Sequence, residues 1–302
     1  MQRRRPVFWQ EKGKLGMNKK KIYSLWFLVP AVVIFVVFFI IPMVTSLFFS
    51  LTVWDLKSFT FCGLDNYKTF FSERSLSISV RNTLIYAVLT SGLKVIIAFF
   101  IALFLTSKIK TKDFLRSLVF FPNLVSAVAV GIIFKALMHP SKGLFNTVLA
   151  AIGISGPNWL GDTNLALFSV IAVDVWKGVS ISTVIFIAGI TSIDSSYYEA
   201  ASIDGATRWQ TIRNIVMPLV RSSTNTIITL SLIGGLRCFD LIWAMTKGGP
   251  GFATDVLASV VYKQYAAGFF GLSTAGNVIM FAVIAIIAFP LQKFLNSREV
   301  YN

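Results

Sequence analysis

Charge is scarce in this chain: only 14% of its 302 residues are Asp, Glu, Lys or Arg, against 55% that are hydrophobic. With a mean hydropathy of +0.73, that shortage excludes an ordinary water-soluble domain of this length. Histidine occurs once, as His139, and cysteine twice, as Cys62 and Cys238. One cysteine in a polar loop and one inside an apolar run give neither a disulfide framework nor a metal site. No G-x-x-x-x-G-K-[ST] run is present, so the chain has no phosphate loop with which to hydrolyse ATP. No Ser/His/Asp or metal-spaced cluster supports an enzyme. Acidic residues number 13 against 28 basic, a net charge of +15. That excess invites a nucleic-acid reading, but the basic residues gather at the ends of apolar runs, where they set membrane topology instead.

Apolar length is what the chain has. At about 20 residues per crossing, six spans fit, over 25–51, 83–105, 117–138, 165–191, 223–246 and 273–294. The expected fold is an all-α membrane protein. Residues 1–21, with Arg3, Arg4, Arg5, Lys12, Lys14, Lys19, Lys20 and Lys21, form a basic cytoplasmic segment ahead of a membrane domain over 22–302. The first apolar run far exceeds a signal-peptide core of about 7 to 15 residues, so it reads as an uncleaved span kinked or bounded by Pro30 and Pro42. Met17 is an alternative start. Lys and Arg in the assigned inner segments number 17 against 7 in the outer ones, which puts both termini in the cytoplasm.

One stretch between the fourth and fifth spans is too polar to cross a bilayer. Residues 195–218 carry Glu199, Asp204, Arg208 and Arg213. Ser196 followed by Glu199 reads as a capping box that starts a helix near Tyr197. Gly205 suits the turn into a second helix over 206–216, which Pro218 ends or bends. Ala200, Ala201 and Ala206 are small enough for another surface to approach closely. On pattern alone, a solvated amphipathic loop and a docking loop are equally open.

The spacing of Glu199, Ala200, Ala201, Asp204, Gly205, Ala206, Ile215 and Pro218, E-A-A-x-x-D-G-A then I-x-x-P, resembles the cytoplasmic EAA loop of permease subunits of binding-protein-dependent ABC importers. Met217 and Ile212 depart from the usual Leu and Phe but stay apolar. F-C-G-L-D-N-Y, Phe61 to Tyr67, resembles the F-x-G-L-x-N-Y after the first span of sugar-importing permeases. T-K-G-G-P-G-F-A-T, Thr246 to Thr254, is similar to the loop after the fifth span in the first of the two permease types of carbohydrate importers. The resemblance implies the type I ABC importer permease fold and no cofactor in this chain, ATP being bound by partner ATPase subunits. It further implies a second permease forming a heterodimer with this one, two cytoplasmic ATPases docked on the loop, and an extracellular sugar-binding protein that delivers the substrate.

Six ionisable residues fall inside the expected spans: Lys94, Lys135, Asp174, Lys177, Arg237 and Asp240. Each costs about 2.5 to 3.5 kcal/mol at a span centre. Lys135 is near enough to an end to snorkel, and Lys94 reads as facing a packed polar partner. Asp174 with Lys177 and Arg237 with Asp240 stand at i and i+3, where opposite charges partly neutralise one another. Trp176, Phe239 and Trp243 lie beside them. Aromatic faces among hydrogen-bonding groups match a sugar ring's C–H patches and hydroxyl edge, so substrate contact and self-neutralisation stay open as alternatives. An ion- or proton-coupled carrier using Asp174 or Asp240 is the rival function, and it has no need of the polar loop.

Overall fold

The computed structural model describes residues 25–107 and 109–297, so the basic segment 1–21, Met17 and Arg298 lie outside the described residues. The chain divides into one unit ending at Thr45 and another beginning at Ser46. The described residues of the first lie almost wholly in the strongly apolar helix α1, Trp26–Phe49. Pro30 occupies its first α-helical turn, where the missing N–H has no partner to lose. A π-helical turn, Val36–Ile40, then runs up to Pro42. Proline cannot donate to the carbonyl four residues back and its ring crowds that carbonyl, so the ladder widens for a turn. Pro42, expected to kink or bound the span, does not bound it: the helix runs on past this π turn to Phe49.

The second unit opens with a short hairpin, β1 (Thr52–Trp54) against β2 (Phe59–Phe61), paired Thr52 to Phe61 and Trp54 to Phe59. Helix α2, Asp65–Ser72, follows, and α3 runs over Arg74–Leu105. The stretch 54–82 is therefore largely structured, and the second long helix begins well ahead of residue 83. The F-C-G-L-D-N-Y motif explains why. Gly63 turns with φ +61°, and the Asn66 amide donates to the carbonyls of Ser50 (2.9 Å) and Thr52 (2.8 Å). Tyr67 reaches the Ser50 hydroxyl at 2.7 Å.

The expected third span is two helices, α4 (Lys112–Leu124) and α5 (Ala127–Leu137), bent by 97°. Val125 is extended, and Ser126 caps α5 by accepting from Ala129 N at 3.2 Å. Apolar content alone could not reveal a break made by two extended residues. Helix α6, Leu144–Ala151, interrupts the turn-rich segment after it, and α7, Ala166–Thr191, matches the fourth span. His139 makes a local turn, its Nδ1 accepting from Ser141 and Lys142 amides.

Beyond the polar loop, with its short helices α8 (Ser195–Ile203) and α9 (Arg208–Thr211), comes α10, Arg221–Leu236. It stops at Arg237, and α11, Asp240–Met245, starts anew, so the expected fifth span is interrupted where its charges lie. Helices α12 (Leu257–Ala266) and α13 (Phe270–Asn296) complete the described chain. Among the described residues four helices are long and apolar enough to cross a membrane, or five if the bent pair is one span.

Helix α3 packs along α7 and α10, with Tyr86, Phe99 and Phe186 buried between. In lipid such packing rests on close fit rather than water exclusion, so small residues mark the contacts. A Cβ on Gly235 would meet Ala87 Cα at 2.6 Å.

The 246–254 loop is held from α3. Asn82 donates to the carbonyls of Phe252 (3.4 Å), Ala253 (3.0 Å) and Asp255 (2.9 Å), while Thr83 Oγ1 accepts from Leu257 N at 3.0 Å. Asp255 is fully buried and takes Lys263 Nζ at 2.7 Å and Ser259 Oγ at 2.8 Å. Thr254 bonds Thr246 at 2.7 Å across the loop's mouth. Asn82→Ala removes the donor to three carbonyls and is expected to cost about 1–3 kcal/mol of stability. Thermal unfolding of the detergent-purified chain measures it, and an unchanged midpoint would make the strap incidental.

Candidate functional site

The polar loop has a defined shape. Helix α8 is capped by Asp194, whose Oδ1 accepts from Ser196 N at 2.8 Å. The expected box of Ser196 with Glu199 does not form, because an Asx cap two residues earlier takes the start of the helix and leaves Glu199 exposed. The Ser196 amide, then its hydroxyl, hold the Asp194 carboxyl below its ordinary range. The cap therefore stabilises α8 above the unfolded carboxyl's pKa and is lost as pH falls through the lowered folded value. Gly205 has φ +70°; Ala206 N donates to Ala201 O (2.9 Å) and Gly205 N to Ser202 O (3.2 Å), a Schellman closure. Here the reading from sequence holds.

Thr207 and Gln210 then make a reciprocal capping box at the start of α9, with bonds of 2.7 and 3.3 Å. Past Thr211 the helix opens into a π turn, Ile212–Val216, ahead of Pro218, the same arrangement as before Pro42. Asp204, Ala200, Arg208, Arg213 and Pro218 are exposed, Ala206 and Ile215 are half-buried, and Ala201 is buried. Two residues missed in the sequence stand out: Ile203 is 86% exposed and Trp209 58%. Their missing signal was an exposed apolar residue at a helix end: Ile203 closes α8 and Trp209 stands in the first turn of α9. Behind the loop a cavity of about 480 Å³ is lined by Thr106, Tyr198, Arg208 and Ile212. Burial pushes the Tyr198 phenol up from its usual range.

The charges inside the helices are arranged otherwise than expected. Asp174 does not pair with Lys177; it takes Lys94 Nζ from α3 at 2.8 Å. Lys94 can reach because Gly178 leaves its path open: a Cβ there would fall on the lysine's Cε. Lys177 is half-buried beside that pair. Arg237 and Asp240 do not share a helical face, since the helix ends at Leu236 and Phe239 lies outside helical geometry at φ −135°. Both are exposed at the break. Among the described residues the ion pairs are Lys68 with Asp65, Lys94 with Asp174, Arg116 with Asp113, and Lys263 with Asp255.

The aromatic neighbours fall into two places. Trp176, 46% exposed, packs on Phe134 at 5.1 Å and lines an apolar groove of about 580 Å³ with Leu93, Leu118 and Pro122. Phe239 stacks on Trp243 at 5.6 Å and lines a separate cavity of about 230 Å³ with Tyr262, Tyr265, Ser273 and Asn277.

Residues 94–300 match the family described as binding-protein-dependent transport system inner membrane component. The chain belongs to that family. This inner membrane component is 31% identical over 274 residues to the trehalose/maltose transport system permease protein MalF of Thermococcus litoralis, covering 90% of this chain and 92% of that one. It is 32% identical over 288 residues to the multiple sugar-binding transport system permease protein MsmF of Streptococcus mutans, with 93% and 97% covered. Its fold is that of a subunit in the crystal structure of a bacterial ABC transporter importing the acidic polysaccharide alginate, with TM-score 0.80 and 22% identity over 93% of this chain and 99% of that one. The family is a multi-pass membrane transport component rather than an enzyme. Nothing in these likenesses supports an ion- or proton-coupled carrier.

Proposed function

We propose that this permease passes a sugar or oligosaccharide from an external binding protein across the cytoplasmic membrane, driven by ATP hydrolysed on partner subunits. Likeness over almost the full length to sugar permeases carries this reading. Six crossings with both termini inside fit it, the fifth being the interrupted pair α10 and α11. The loop 195–218 then faces the cytoplasm, and Glu199, Ala200, Ala201, Asp204, Gly205, Ala206, Arg208, Ile215 and Pro218 shape the surface that docks on the ATPase. The exposed Ile203 and Trp209 add apolar contact area to that surface.

A second permease closes the path by covering Arg237 and Asp240, which are exposed on this chain alone. Arg237, Asp240 and Lys177 supply hydrogen-bonding charge to sugar hydroxyls, and Trp176, Phe239 and Trp243 supply ring faces. Asp174 is committed to Lys94 and acts on the site by holding α7. No cofactor is needed in this chain; ATP binds the partner ATPases.

The complete assembly, reconstituted in vesicles with its binding protein, is expected to accumulate sugar only when ATP is present on the loop side. Accumulation without ATPase subunits would overturn the reading. Orientation has its own measurement. In a chain without native cysteines, cysteine placed at the exposed Ser141 is expected to react with an impermeant thiol reagent in intact cells, and cysteine at Thr207 is not. Thr254, buried under its loop, is not a useful reporter. Labelling at position 207 would invert the topology.

A further inference from the structure

Among the described residues the buried side-chain atoms without a hydrogen-bond partner are the Tyr86 hydroxyl, Arg116 Nε, and the hydroxyls of Ser180 and Thr183. The last three belong to residues that line one cavity of about 420 Å³ between α4 and α7, beside Leu105 at the end of α3. An unmet buried donor is costly, and hydrocarbon holds no water to relieve it, so three at one place mark a gap that an acceptor fills. Arg116 also has charge to spare. Its Nη2 donates to the Leu105 carbonyl at 3.3 Å, and Nη1 lies 3.6 Å from Asp113, a carboxylate 83% exposed. The rest of the wall is apolar and includes Val119, Phe120 and Val184. Val119 also lines the 580 Å³ groove, so a pocket with three free donors adjoins one without a charged residue.

We propose that this pocket holds an anionic glycerophospholipid, with its phosphate at Arg116, its ester oxygens at the Thr183 and Ser180 hydroxyls, and an acyl chain laid past Val119. The depths agree with that order. Arg116 stands in the second turn of α4, nearest the membrane surface, whereas Thr183 and Ser180 lie about two and three turns back from the end of α7 at Thr191. Lys110 and Lys112, both exposed, gather at the same end and attract an anionic head. A free phosphate would meet the arginine and leave the deeper hydroxyls bare. A helix of the second permease would cover the apolar wall but bring few acceptors, because its carbonyls are already bonded. The inference goes beyond sugar import and stands whatever the cargo.

The test uses the complete importer in lipid discs of mixed phosphatidylcholine and phosphatidylglycerol. Native mass spectrometry after release into detergent counts the retained lipids of each class, and thermal unfolding in the discs gives stability. The unaltered assembly is expected to retain phosphatidylglycerol in preference to phosphatidylcholine, and Arg116→Gln to lower that preference about tenfold or more. Replacing Ser180 by Ala and Thr183 by Val together is expected to lower retention of both lipids, since the ester oxygens are common to them, and to lower the unfolding midpoint. In an empty cavity, losing two unmet hydroxyls would leave the midpoint unchanged or raise it, so this pair decides the matter even where Arg116→Gln fails to assemble. Equal retention of the two lipids by the unaltered assembly, or variants that match it, would overturn the proposal. So would displacement of the lipid by dissolved glycerol 3-phosphate, or retention of neither lipid, the mark of a cavity sealed by the second permease.

Discussion

Gly205→Val is expected to leave the chain inserted and folded yet to abolish ATP hydrolysis stimulated by loaded binding protein. The position has φ +70°, and a Cβ built there meets nothing within 4 Å, so the obstacle is backbone strain alone. For a β-branched residue that conformation is a genuine outlier, costing about 1–3 kcal/mol, whereas Asn enters it with little strain. The strain falls on one Schellman closure, at the corner between α8 and α9. Relieving it means breaking the bonds from Ala206 to Ala201 and from Gly205 to Ser202, which re-aims Glu199 on one helix relative to Trp209 on the other. The expected order of activity is Gly, then Asn, then Ala, then Val. Glu199→Lys acts differently: it leaves the corner intact and reverses a charge on the exposed face, so it is expected to weaken ATPase recruitment in a salt-dependent way. Co-purification of the ATPase with each variant, followed by stimulated hydrolysis in vesicles, reads both effects. Unaltered values for Gly205→Val would make the loop a mere connection.

Local chemistry was legible in the sequence, and so were the interruptions at Gly205, Pro42 and Pro218; the two breaks inside apolar runs were not. Gly205 could be read as a positive-φ corner because only glycine is free there, and the loop's polarity set it apart from six apolar runs. The start of α8 was misread by two residues because Asp194 and Ser196 both offer a capping oxygen, and periodicity does not choose between them. The breaks at Val125–Ser126 and Arg237–Phe239 themselves carry neither glycine nor proline, and the nearby Pro122, Gly234 and Gly235 sit inside helices, so composition does not place them. The same limit misassigned the charges. An i, i+3 spacing implies a shared face only in an unbroken helix, and Arg237 and Asp240 straddle an end. Asp174 does lie in an unbroken helix, yet its partner is 80 residues away, on a neighbour that Gly178 lets approach. Pairing across helices is set by packing, and that was invisible until α3 and α7 were side by side.

That pair makes the second large prediction. Lys94→Met or Asp174→Asn alone is expected to destabilise the chain by about 3–5 kcal/mol, because each leaves the opposite charge uncompensated between helices. The Lys94 and Asp174 side chains are only 10% and 19% exposed, so water repays little of the loss. Removing both charges together is expected to recover most of it, since the desolvation cost of two ions disappears with their attraction. Thermal unfolding of the four proteins gives the coupling directly, and additive losses would mean the two charges are independent. Transport by the double variant then separates two roles for Asp174. If the carboxylate only holds α7 in place, restored stability brings restored KM and rate. If it also accepts sugar hydroxyls, the double variant unfolds like the unaltered chain while its KM stays raised. Because Trp176 and Lys177 follow Asp174 within one turn of α7, a tilt released by either single variant reaches the site wall. The single variants are therefore expected to lose rate as well as stability.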